Sequence, residues 1–380
     1  MVSPRVFTIR VPASTANFGP GFDVLGAGLS LYLVLTVSVP GQQSEPSIDT
    51  LPYVKAALTY TGDSVSSVPL DPTQNLITKV ATYVASAHQH SLPSGIQVHI
   101  DNSIPLSRGL GSSGAAVVAG VALANMCCRL GMDTQALLDY ACLLEGHPDN
   151  VAASLVGGLV TSYLKYDIQE EVNVLQTDTD LYLHNRHHHR QDKRLVCHES
   201  GDEKCSKDTD GIPRPRFGGI AAHRKLRLSS AIRVVVAIPT FEVSTHKARS
   251  VLPPMYSRAD VVFNMQHLAM LVHVLGDDHP DGTVVWESMQ DRVHQPHRQI
   301  LVPGLKEVLR LSGNELPGLL GVCLSGAGPT VLALATDNFD QIGQHIVNEF
   351  QKHPDANGVG IQAHYLVLDF DRVGMVVEEK

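Results

Sequence analysis

The residues from 96 to 129 constrain this chain more than any other stretch. Ile96-Gln97-Val98-His99-Ile100 alternates apolar and polar side chains and predicts a half-buried strand, and the residues from Ala116 to Arg129 favour a helix. Between them runs Pro105-Leu106-Ser107-Arg108-Gly109-Leu110-Gly111-Ser112-Ser113-Gly114-Ala115. Gly109 and Gly111 carry no Cβ and tolerate positive φ, so the backbone there can approach a ligand closely and turn successive N–H groups toward it. Such a loop suits an anion. Ser112 and Ser113 fall where the helix begins: their hydroxyls can cap its free amides or reach a magnesium ion, and the same amides with the helix dipole favour a phosphate. No Gly-Lys-Ser or Gly-Lys-Thr closes the loop, so it is not a Walker A sequence, and it lacks the dinucleotide fingerprint. Taken by itself it also reads as an ordinary helix start with a glycine-rich approach.

Length and charge narrow the ligand. A chain of 380 residues forms two domains more naturally than one, and its mixture of Val-rich and Ala/Leu-rich runs fits an α and β protein. Its 29 basic residues are outnumbered by 38 acidic ones, a formal charge of −9, which suits neither nucleic acid nor an anionic membrane. An anionic ligand must therefore be held by a local pocket. No apolar run reaches the length of a bilayer span, and Met1-Val2-Ser3-Pro4-Arg5 lacks the apolar core of a secretory signal, so the expected compartment is the cytoplasm. Cys127, Cys128, Cys142 and Cys323 sit in apolar surroundings and are expected to be buried thiols. Cys197, His198 and Cys205 share a polar stretch, without the spacing of a standard structural zinc site.

The loop has company on both sides. Val6–Val11 alternates as a strand does, and the residues from Pro12 to Asp23, with small side chains, glycines and two prolines, are expected to form a shaped loop. Asn17 and Asp23 within it can hydrogen-bond a polar substrate or serve as turn formers. Leu29–Pro40 reads as a strand, Thr78–His88 as a helix preceded by Asn75, which can cap it or touch a nucleotide, and Gln135–Glu145 as a further helix. An acid on that helix, Asp139 or its rival Glu145, stands just before His147-Pro148-Asp149-Asn150. Metal-assisted phosphoryl transfer needs such a set, one group for the cation and others to orient the attacking hydroxyl. A solvated carboxylate and a polar turn are the plainer reading.

After Ile168 the character changes. Residues 178–217 are crowded with charge and histidine, including His187-His188-His189, and are too polar for a core. A mobile insertion is expected over 173–218, between a domain of residues 1–172 and another of 219–380. Order resumes with Ile232–Ile238, Leu319–Leu324 and Val331–Ala335 as buried strands, Asp260–Gly276 and Asn338–Gln351 as helices, and His364–Phe370 as the last strand. Thr245 and Arg249 follow the first of these strands, and Arg298 precedes the Pro303-Gly304 turn. A guanidinium fork binds a carboxylate through two parallel hydrogen bonds, although most arginines only coat a surface. Ser325-Gly326-Ala327-Gly328-Pro329-Thr330 repeats the glycine-lined strand end, so the two glycine turns are either opposite walls of one pocket or unrelated hairpins.

Pro12–Asn17, Pro105–Ala115 and Ser325–Thr330, in that order, resemble the GHMP small-molecule kinases. Within that superfamily, Asn17–Asp23, His147–Asn150, the segment from Thr245 to Arg249 and Pro296-His297-Arg298 are similar to the homoserine kinases, and the likeness covers nearly all of the chain outside 173–218. The resemblance implies a two-domain α+β fold. Its N-terminal part would be like the second domain of ribosomal protein S5 and its C-terminal part ferredoxin-like, with the active site between them and the last strand packing back on the first domain. It further implies a homodimer that uses ATP and Mg²⁺ to phosphorylate the side-chain hydroxyl of L-homoserine, giving O-phospho-L-homoserine for threonine biosynthesis.

Residue by residue, the resemblance puts ATP on Asn75 and on the loop from Pro105 to Ala115. It puts the metal on Ser113 and on Asp139, which stands eleven residues before Asn150, where the family has a Glu; Glu145 remains the alternative. Homoserine falls to Asn17, Asp23, His147, Asn150, Thr245, Arg249 and Arg298, with the two arginines on its carboxylate and Asp23 on its ammonium or hydroxyl. Asn150, Asp23 and Arg249 are the implied catalytic residues. Mevalonate kinases carry a catalytic Asp where Asn150 stands, and a loose transition state that asks little of a base lets the hydroxyl proton pass to a phosphate oxygen. A kinase for mevalonate or a sugar would place an acid there. A sensor that keeps the pocket without turnover is the remaining reading.

Overall fold

The computed structural model describes residues 3–41, 56–166, 168, 219–355 and 357–380. The insertion expected over 173–218, with its histidines, Cys197 and Cys205, lies outside the described residues.

Strands β1 (Arg5–Asn17) and β2 (Gly21–Val39) form a long antiparallel hairpin in which Phe7 faces Val37 and Ala16 faces Gly26. The loop expected from Pro12 to Asp23 is therefore mostly strand, with register shifts after Pro12 and Ala16 and only Phe18-Gly19-Pro20 left as the turn. Every residue from Val11 to Asn17 is buried, so the segment shows none of the alternation by which a half-exposed strand is read. Strand β3 (Ala57–Gly62) lies parallel to β4 (Gln97–Asn102), and α1 (Leu76–Ala87) makes the crossover that a parallel pair requires.

Helix α2 (Ser112–Cys128) is apolar on every side and buried along most of its length, as befits the central helix of a layer. It is followed by α3 (Thr134–Glu145), α4 (Pro148–Val156) and β5 (Leu159–Leu164), which pairs with β2. Strand β6 (Ala221–Leu226) pairs with β5, so these residues extend the first sheet and do not open the second unit expected from 219.

The second layer starts at β7 (Arg233–Pro239). Helices α5 (Thr245–Ser250), α6 (Arg258–Val274), α7 (Gly282–Ser288), α8 (Gln295–Arg298) and α9 (Leu305–Val308) lead to β8 (Leu319–Leu324) and β9 (Val331–Ala335). Then come α10 (Phe339–Gln351) and β10 (Ala363–Leu368), which completes an antiparallel sheet ordered β10-β7-β9-β8. The strand expected to be last is this β10; a further one, β11 (Val376–Glu379), returns to pair with β1 in the first sheet.

Strand β7 shows why its sequence is continuously apolar. Val234, Val236 and Ile238 join the core that underlies the first sheet, while Val235 and Ala237 join a second core with Ile342, Ile346 and Phe350 of α10. Each of these valine, isoleucine and phenylalanine side chains contributes about 1.5–3 kcal/mol when fully buried. Among the described residues no helix is long and apolar enough to cross a membrane.

Candidate active site

A cavity of about 410 Å³ opens where the two layers meet, with walls from the β1–β2 hairpin, the loop before α2, the start of α4, and residues of α5 and α8. The loop before α2 turns through Ser107, Gly109 and Gly111, at φ +54°, +79° and +69°. A Cβ on Gly109 would stand 2.3 Å from Ser325 O, and one on Gly111 would stand 2.0 Å from Ser14 Oγ, so neither site admits a side chain. Gly111, not a serine, occupies the N-cap position of α2, and no side chain caps the helix. The first amides of α2 stay available beside Ser112 and Ser113 at the cavity wall, an arrangement suited to an anion.

The second glycine turn is packed against this loop. Ser325 Oγ donates to Gly109 O at 2.6 Å, Thr330 N to Arg108 O at 3.2 Å, and Gly326 N to Ala16 O at 3.2 Å. The two turns therefore share one site.

The acidic wall corrects the sequence reading. Asp139 is buried with its carboxylate turned away from the cavity, accepting Ile220 N at 2.8 Å, Ala221 N at 3.1 Å and Gln135 Nε2 at 3.0 Å. Its work is to hold β6 onto α3. Glu145, at the last turn of α3 before Gly146 reverses the chain at φ +86°, lines the cavity and accepts Ser113 Oγ at 2.9 Å. Of the two acids that the sequence leaves open, Glu145 is the one at the cavity.

Asn150 sits in the first turn of α4 and is held from two sides. Ser14 Oγ donates to its Oδ1 at 3.0 Å, and Asp149 Oδ1 accepts its main-chain N–H at 2.7 Å. The same Asp149 oxygen lies 2.7 Å from His147 Nδ1. Burial works against the imidazolium, yet Asp149 and Glu145 outweigh it and raise His147 to about 9. Burial likewise opposes the Asp149 carboxylate, but His147 and the Asn150 amide hold it below the usual range. Asp23, His147 and Asp149 bring donor atoms within 4.8 Å of one another. With His147 cationic and Asp23 in a guanidinium fork, that cluster is already charge-balanced, and the pair of oxygens at Ser113 and Glu145 suits a cation better.

The opposite wall is cationic. Arg249 grips Asp23 through Nη1–Oδ2 at 3.0 Å and Nη2–Oδ1 at 2.7 Å. Asp23 takes φ +57° and donates its N–H to Asn17 Oδ1, and Asn17, at φ +78°, gives its Nδ2 hydrogen to Gly326 O at 3.0 Å. Such left-handed residues on either side of one turn carry strain of the kind found at binding sites.

Arg298, 2% exposed, spends Nε on Ala248 O and Nη1 on Gly326 O, and among the described residues it forms no ion pair. Burial and the neighbouring Arg249 lower it to about 10, so it remains charged near neutrality. A buried cation of this kind calls for an anion from outside the chain. Thr245 lines the cavity at the first turn of α5.

Other expected positions do less. Asn75 borders the cavity, but its side chain caps α1 by accepting Ile77 N and also donates to Pro69 O. Pro105, Leu110, Gly114 and Ala115 are not part of the wall, and Leu110 is a core residue. Sequence reasoning missed the apolar end of the cavity, formed by Leu33, Tyr60, Val68, Pro69 and Ile100. These come from β2, β3, β4 and the approach to α1, and no local motif links them. Ser14 and Phe22, both within the Pro12–Asp23 segment, were missed as well, because neither residue type signals a site role by itself.

Residues 75–158 match the GHMP kinases N terminal domain and residues 285–352 the GHMP kinases C terminal domain. The chain is 43% identical over 378 residues to the homoserine kinase of Saccharomyces cerevisiae, covering 99% of both chains. It is 42% identical over 364 residues to that of Schizosaccharomyces pombe, covering 95% of this chain and 96% of the other. The crystal structure of homoserine kinase from Cytophaga hutchinsonii shares the fold, with a TM-score of 0.67 over 98% of this chain and 97% of that one at 23% identity.

Proposed function

The chain belongs to the homoserine kinases of the GHMP kinase family, and on that premise we propose how its cleft carries the reaction. The enzyme transfers the γ-phosphoryl group of ATP to the side-chain hydroxyl of L-homoserine, giving O-phospho-L-homoserine for threonine biosynthesis. The base enters the apolar end beside Tyr60 and Pro69, and the phosphates lie along the amides from Gly109 to Ser113 at the start of α2. Ser113 and Glu145 offer hard oxygen donors 2.9 Å apart, which fit Mg²⁺ and would hold it. That ion supplies charge neutralisation on the transferred phosphoryl group.

Homoserine is a zwitterion, and the cationic wall suits both of its ends. Its carboxylate meets Arg298 and Arg249, and its ammonium meets Asp23, so the internal Asp23–Arg249 pair is exchanged for two pairs to the substrate. Asn150, held by Ser14 and Asp149, sits between this wall and the phosphate amides and orients the hydroxyl. An amide cannot take a proton as a carboxylate does, so the hydroxyl proton goes to a phosphate oxygen. Positioning then supplies most of the rate.

The reading rests on one observation above the others: Arg298 is a buried cation with no carboxylate partner among the described residues, and it faces the same cavity as the uncapped start of α2. The test is to incubate the purified protein with Mg-ATP and L-homoserine, mevalonate, galactose or L-serine, and to follow ADP release. Homoserine alone is expected to give turnover, and an Arg298→Lys variant is expected to raise KM for homoserine while leaving KM for ATP in place. An Arg298→Lys variant with an unchanged KM for homoserine would remove the carboxylate subsite from the reading. The proposed compartment is the cytoplasm and the proposed state a homodimer, which sedimentation would test.

A further inference from the structure

We propose that Phe22 is the positioning residue for the carboxylate subsite: its ring holds the Arg249 and Arg298 guanidinium groups as a pair, so that both meet one substrate carboxylate. The proposal rests on the reading of those two arginines given above. Arg249 Cζ lies 5.4 Å from the Phe22 ring centroid and Arg298 Cζ 5.1 Å, both within reach of the ring quadrupole. His294, fully buried, stacks on the same ring at 5.2 Å, and its Nδ1 lies 3.2 Å from Arg298 Nη1.

The physical problem is that two cations must stay close together while the site waits for its anion. Of the two, only Arg249 has an acidic partner among the described residues, and Arg298 feels the cost of burial as well as the repulsion of Arg249. A second internal carboxylate would relieve this, but it would compete with the substrate for the same forks. An aliphatic side chain would leave the repulsion standing. An aromatic ring offsets part of it without occupying the hydrogen-bonding edge of either guanidinium. Phe22 lines the cavity directly before Asp23, so one stretch of β2 delivers both the ring and the acid that partners Arg249.

The experiment replaces Phe22 site-specifically by phenylalanines carrying one, two and three ring fluorines, which keep the ring's shape while weakening its quadrupole. KM for L-homoserine is expected to climb with each fluorine, about threefold to tenfold across the series, with KM for ATP and kcat within about twofold. Phe22→Leu is expected to show a larger rise and Phe22→Trp to restore the wild-type value. An Arg298→Lys variant is measured in parallel. If it raises KM for homoserine while the fluorine series stays flat, the role given to Phe22 is overturned and the carboxylate subsite stands. If it leaves KM for homoserine unchanged, the subsite itself is overturned, and the proposal with it.

Discussion

Ser14 Oγ donates to Asn150 Oδ1 at 3.0 Å, joining the β1–β2 hairpin to the first turn of α4 across 136 positions of sequence. The same hydroxyl accepts from Ser154 Oγ at 3.2 Å, and Ser14 N donates to Leu110 O at 3.1 Å. Ser14 thus fixes the Asn150 carboxamide and the phosphate loop in one frame. Ser14→Ala is expected to lower kcat about tenfold, the worth of one well-placed hydrogen bond, with ATP affinity retained. Asn150→Ala is expected to lose more turnover, and the double variant no more than Asn150→Ala alone. Steady-state kinetics on the three proteins check this, and additive losses would separate the two residues.

The exchange between Asp139 and Glu145 separates a fold role from a site role. Glu145→Gln is expected to raise the Mg²⁺ concentration for half-maximal rate and to lower kcat at least tenfold, with a smaller loss of melting temperature than Asp139→Asn shows. Asp139→Asn weakens bonds to two buried main-chain amides, at a cost of about 1–3 kcal/mol, and is expected to lower the melting temperature while sparing kcat. Magnesium titrations and thermal melts on both variants test the assignment. A magnesium defect in the Asp139 variant alone would reverse it.

Asp23 is expected to set the preference for an amino alcohol. In Asp23→Asn the ammonium of homoserine loses its partner, while Arg249 is freed for the carboxylate. Homoserine should therefore lose kcat/KM by more than tenfold, and the preference for it over 4-hydroxybutyrate, which lacks the ammonium, should narrow by at least as much. Competition assays with the two acceptors read the ratio directly, and an unchanged ratio would take the ammonium away from Asp23.

How much of this was legible beforehand depends on whether the signal was local. The strand, glycine loop and helix around Gly109–Ser113 are local, and so are the continuous runs of β7, β8 and β9. The segment from Pro12 to Asn17 was misread because burial on both faces erases the period of two on which a strand assignment relies. The apolar end of the cavity is built from residues as far apart as Leu33 and Ile100, which only the β2–β4 pairing brings together. The choice between Asp139 and Glu145 was illegible for a different reason. Chain distance does not specify a helix face, and the reversal at Gly146 put Glu145 at the cavity in place of Asp139.

His147 gives the fold a pH dependence whose sign follows from its surroundings. Its folded pKa, about 9, stands above the ordinary 6.5 because Asp149 and Glu145 outweigh the opposing effect of burial. The folded state thus holds this proton more tightly than the unfolded chain does. The resulting stabilisation is fully present below pH 6.5 and is lost as pH rises through about 9. It is worth at most about 3 kcal/mol. His147→Gln removes it at every pH, so the melting temperature of the wild type should exceed that of the variant most clearly near pH 6, and the gap should close by pH 10. Thermal melts across that range decide the matter, and a gap that widened with pH would mean that His147 is neutral in the folded protein.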